Sequence, residues 1–211
     1  MATDPKPHFL DHRDRLRADL FQAVGERWEG RKVRVDSGPW TLILDSYDLV
    51  PNDFDRGFTR LSAPFLNPET FRFTIYEQGP FAWLGKLLGM QDIHLGEPGF
   101  DSKWIVQSNS PPKIRELFDD PRLRDGITAA GDCEFTLHDD EGVYDRLVGV
   151  SDLTTTGDGA NYLSYDELLF SCAGIRSQPE QLRAVVDLFC LALERLCQFS
   201  SAYADQPAAG R

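Results

Sequence analysis

Two aspartates and a histidine fall close together at Asp92, His94 and Asp101, inside LLGMQDIHLGEPGFDSKWIVQSN (residues 87–109). Carboxylates and an imidazole at this range are the groups from which a divalent metal site or an acid–base pair is built. The same stretch holds Gly89, Gly96 and Gly99, which allow positive φ or close backbone approach, and it runs straight into an apolar strand. Its spacing matches no ligand signature, with no HExxH, CxxC or nucleophile elbow nearby. An aspartate at the mouth of a strand has another use: it accepts hydrogen bonds from loop amides that would otherwise be buried unpaired. The stretch is therefore read as a hinge, with Asp101, and Asp92 before Ile93, fixing a turn. A metal or acid–base cluster of Asp92, His94 and Asp101 is the alternative.

The remaining candidates are read the same way. Asp45, Asp48, Asp53 and Asp55 in DSYDLVPNDFD lack the alternate oxygens, sharp-turn glycine and distal glutamate of a calcium loop. They are expected to be solvated turn residues at a strand end. His8 and His12 sit four apart, so on a helix both imidazoles face one side, but no third ligand is in reach. His138 in TLHDDEG is expected in a hairpin. Cys133, Cys172, Cys190 and Cys197 form no CxxC, and the last two lie seven apart in an apolar helix. Buried, reduced thiols are the expectation. There is no G-x-S-x-G and no glycine-rich loop with lysine after a strand. No catalytic, cofactor-binding or metal-binding residue is assigned, and no cofactor is expected.

The elements that must position these groups follow from periodicity. HFLDHRDRLRADLFQAVGERW (residues 8–28) places Phe9, Leu16, Leu20, Val24 and Trp28 on one face of an amphipathic helix. KVRVDSG, WTLILDSYDLV, GFTRLSAPF and FRFTIYEQ are short runs rich in β-branched and aromatic residues, and predict a meander of antiparallel strands. PFAWLGKLLG reads as a short helix, SKWIVQSN as a central, covered strand, and PPKIRELFDD and PRLRDGITAA as helices opened by proline. DCEFTLHD and the segment around YDRLVGVSDL resume the strands with DDEG as a turn, and YLSYDELLFSCAG is the last strand. QPEQLRAVVDLFCLALERLCQFS closes the chain as the longest helix. Strands in two groups, each followed by a helix, predict an α+β fold with a largely antiparallel sheet, an N-terminal amphipathic helix and a long C-terminal core helix. One domain is expected over residues 1–201, with 202–211 as a disordered tail.

The 211 residues carry 34 acidic and 22 basic side chains, a net charge of −12, and no basic run longer than two. Nucleic-acid binders recruit phosphate through a basic face, so no nucleic-acid partner is expected. No apolar run reaches a membrane span and the N-terminus is polar, so a soluble, cytoplasmic protein without membrane insertion is expected.

From WTLILDSYDLV onward most of the chain carries a pattern, APFxNPExFRFxIY then LGKLLGMQDIxxGxxxFDxxWxVxxN, followed by IRELFDDPRLRDGI, FTLHDDEGVY and YDELLFSCAGI. In these strings it resembles a family of uncharacterised bacterial cytosolic proteins that share a domain of unknown function. The resemblance implies no activity and transfers no catalytic residue. The expected function is a non-enzymatic binding or interaction module for a protein or a small molecule. The alternatives are a small-molecule or lipid carrier with an apolar cavity, and a metal-dependent hydrolase.

Overall fold

The computed structural model describes residues 7–24, 32–37, 40–48, 57–65, 70–78, 91–138 and 166–199. In chain order these form α1 (Pro7–Val24), β1 (Val33–Ser37), β2 (Trp40–Asp48), β3 (Gly57–Phe65), β4 (Phe73–Glu77) and β5 (Gln91–Asp92). Then come α2 (Pro98–Asp101), β6 (Trp104–Ser108), α3 (Pro111–Phe118), α4 (Pro121–Ala130), β7 (Cys133–His138), β8 (Asp166–Ala173) and α5 (Pro179–Phe199). The fold is α+β, with an eight-stranded antiparallel sheet in the order β1-β2-β3-β8-β7-β4-β6-β5. Expectations for Trp28, the 80–89 helix, the DDEG turn, the YDRLVGVSDL strand and the 202–211 tail lie outside the described residues.

Local chemistry sets the element ends. Prolines open α3 and α4, where a missing N–H costs nothing. Asp120 caps α4 by accepting from the Arg122 backbone N–H at 3.0 Å.

One face of the sheet is apolar and carries the helices. Phe135 of β7 stands opposite Phe170 of β8, Phe73 of β4 reaches Phe135 diagonally with ring centroids 5.7 Å apart, and all three are fully buried. Phe189 of α5 meets Phe135 with ring centroids 6.3 Å apart. Phe9 of α1 packs edge-on to Trp40 of β2 at 4.9 Å. Two ion pairs tie α1 to α5, Arg13–Glu194 at 2.8 Å and Arg17–Asp187. α4 crosses α5 closely enough that a Cβ on Gly126 would lie 2.8 Å from Leu188 Cδ1.

Two expectations are revised. The expected four-strand meander holds only from β1 to β3, because β8 and β7 lie between β3 and β4. And β6 is not central: among the described residues only the two-residue β5 lies beyond it. The apolar face of β6 is covered by helix side chains instead, with Phe100 of α2 stacked on Trp104 at 5.9 Å and Phe118 of α3 behind it.

Candidate functional site

The glycine-punctuated stretch folds as a tight turn around Asp101. Its carboxylate accepts from the backbone N–H groups of Leu95 and Gly96, each at 2.9 Å. Gly96 holds φ at +88°, a conformation a side chain would strain. A one-turn helix absent from the sequence reading, α2, supplies the carboxylate, and the Phe100 and Asp101 amides both donate to Glu97 O. Asp92 is held separately, on β5, by Gln107 Nε2 at 2.6 Å, and His94 is exposed. Among the described residues no three His, Cys, Asp or Glu side chains gather as a metal would require.

The second acidic set is corrected at Asp45. It is a buried mid-strand residue of β2, not a solvated turn residue. Arg60 of β3 grips it with two hydrogen bonds, Nε to Oδ1 at 2.8 Å and Nη2 to Oδ2 at 2.6 Å. The pair stands directly opposite across β2 and β3. Asp48 ends β2 with its side chain outside the described set, as are those of His8 and His138, while Asp53 and Asp55 lie outside the described residues. His12 Nδ1 lies 2.7 Å from Ser37 Oγ, a bond from α1 to β1. All four cysteines are free thiols, with Cys197 only partly buried. Burial pushes Cys190 up to about 12 and raises the other three, so none is poised as a thiolate.

Arg60 and Asp45 belong to a larger pattern that the sequence reading missed. On the sheet face away from the helices, registers align polar side chains into two rows. One runs Asp92, Gln107, Thr74, Thr136 across β5, β6, β4 and β7, and continues through Leu169, Ser62 and Ile43 to Arg34 of β1. The other runs Tyr76, Glu134, Ser171, Arg60, Asp45. Thr74, Thr136, Ser62, Gln107, Arg60 and Asp45 are all buried. The two threonine hydroxyls lie 2.9 Å apart and Thr136 also donates to Phe73 O at 2.9 Å. Burial, with Asp92 and Glu134 nearby, raises the Tyr76 phenol. Period-2 polar positions in TLILDSYD, FTRLS, FRFTIYEQ and CEFTLH are the sequence signal of this face.

The first row ends at the sheet's long open edge. Among the described residues, β1 pairs with β2 on one side and no hydrogen bond occupies its other side. An antiparallel ladder turns alternate residues' N–H and C=O groups outward. Counted from the Ser37–Trp40 pair that closes the β1–β2 connection, those residues are Arg34 and Asp36. No family model, curated protein or solved structure matches this chain. The edge must therefore be interpreted from its own chemistry. Arg34 and Asp36 project from the same face, more than half exposed, with Nη2–Oδ1 at 3.1 Å. Burial would raise the Asp36 carboxyl, but bonds from Arg34 and Thr41 outweigh it and hold the group below the usual carboxylate range.

Proposed function

We propose that this protein is a cytoplasmic, non-enzymatic interaction module that takes a polypeptide strand along the outer edge of β1. The observation that carries the reading is that edge: a five-residue strand whose outward backbone groups meet no partner among the described residues, with two exposed charges beside them. An extended chain laid there gains main-chain hydrogen bonds, and the flanking side chains select it. The groups best suited to chemistry are engaged within the fold: Asp101 by loop amides, Asp45 by Arg60, Asp92 by Gln107, His12 by Ser37. That arrangement favours binding over a metal-dependent hydrolase. A carrier would need an apolar cavity between sheet and α5, and Phe73, Phe135, Phe170 and Phe189 fill that space.

The net charge of −12 argues for a protein partner and against nucleic acid. Membership in the bacterial family that the sequence resembles is compatible with this reading and supplies no activity of its own. None of the described helices is long and apolar enough to cross a membrane.

Backbone amide exchange tests the reading. Arg34 and Asp36 amides should exchange fast in the isolated chain at high dilution and slow when a polypeptide partner binds. Equal exchange with and without a bound partner would remove the edge from the recognition surface.

A further inference from the structure

Resting on that reading, we infer that the strand laid along β1 is β1 of a second copy of this chain, antiparallel about a two-fold axis at Val35. The argument is the order of charges. VRVDS places a cation at 34 and an anion at 36, symmetrically about Val35. Reversed by a two-fold axis, Arg34 stands opposite the second copy's Asp36, and Asp36 opposite its Arg34.

Opposite charges directly across an antiparallel pair stabilise it, and like charges destabilise it. Centring the axis on Asp36 sets two carboxylates face to face. Centring it on Arg34 sets two guanidiniums face to face, although Lys32 then approaches the other copy's Asp36. Only the Val35 register pairs both charges without a like-charge contact.

The backbone phase agrees with this choice. Arg34 and Asp36 are the residues whose N–H and C=O groups turn outward, so in this register they exchange hydrogen bonds with each other's copies. Val35, on the helix-covered face, then meets the second copy's Val35, which extends the apolar layer across the axis. Edge charges commonly protect a sheet against indiscriminate pairing. Here their order admits one partner and one register, the isologous contact of a two-fold dimer.

The experiment is sedimentation of the full chain from low micromolar to near-millimolar concentration. The wild type should pass reversibly from monomer to dimer. Arg34→Glu and Asp36→Arg should each weaken dimerisation about tenfold or more, because each turns two opposite-charge pairs into like-charge pairs. The charge-swapped double variant, Arg34→Asp with Asp36→Arg, keeps opposite charges paired only in the Val35 register and should restore the dimer. Circular dichroism confirms that each variant is folded; both side chains are exposed.

A wild type that stays monomeric throughout overturns the inference, as does a dimer indifferent to the single reversals or a folded double variant that is not rescued. A monomer whose Arg34 and Asp36 amides become protected by another polypeptide would overturn the dimer and leave the interaction reading standing. Loss of both the dimer and that protection would defeat the two together.

Discussion

Along β4 and β7, Phe73 and Phe135 point to one face of the sheet and Thr74 and Thr136 to the other, and all four are buried. The helix face is closed by aromatic and aliphatic packing, with Phe189 and Leu193 of α5 fully buried against it. Such contacts are individually weak, directionless and numerous. The second face is held by a few specific bonds, the Asp45–Arg60 pair and the paired threonine hydroxyls among them. Each is costly to leave half made. The difference teaches that burial alone does not define this protein's core: one face tolerates loss gradually, while the other requires partners to be removed together.

The largest effects should come from single truncations. Phe189→Ala should cost about 3–5 kcal/mol through the cavity it leaves beneath Phe135. Arg60→Leu should cost a similar amount, about 3–5 kcal/mol, by stranding a buried carboxylate. The faces then separate on repair. Asp45→Leu with Arg60→Met should recover most of the second loss, since apolar replacement of a buried pair is often neutral. Denaturant melts of the single and double variants measure this. A double variant as unstable as Arg60→Leu would place the stabilisation in the wider polar network rather than in the pair.

Next in size are the carboxylate variants in the turn that leads into β6. Asp101→Ala leaves the Leu95 and Gly96 amides without their acceptor and should cost about 1–3 kcal/mol. Asp101→Asn keeps one acceptor and should cost less. Trp104→Ala, on the apolar face, should exceed both at about 3–5 kcal/mol. If Asp101→Asn were as stable as wild type yet lost a ligand or ion that wild type binds, the turn would be a functional loop. The measurement is a melt paired with metal and ligand analysis of each variant.

The smallest effect is a pH dependence. Bonds from Arg122 hold the Asp120 carboxyl below its ordinary value, with burial opposing. A depressed carboxyl stabilises the fold above its unfolded pKa of about 4 and loses that contribution as pH falls through the folded value. Asp120→Ala should therefore melt about 1 kcal/mol below wild type at neutral pH. The gap should narrow as the solution is acidified below about pH 4. A constant gap down to pH 2 would mean that the cap does not depend on the ionised carboxylate.

Sequence alone determined the longer described elements, though not the short β5 and α2. Their signals are local: the heptad-like stripe of α5, the prolines opening α3 and α4, and the alternation in FRFTIYEQ are written within one element's length. Asp101 was legible for the same reason, since its acceptor role depends on amides five and six residues away.

Tertiary structure decided what those elements do to one another. Asp45 reads as a turn residue until β3 brings Arg60 against it from fifteen positions on. The polar rows exist only because β8 enters between β3 and β7, and because β4 joins β7 to β6. The open flank of β1 is equally non-local: a strand becomes an edge only by where the rest of the sheet ends. Pairing partners and registers are set by which distant surfaces bury one another. That information is spread over the whole chain, and no window of residues contains it.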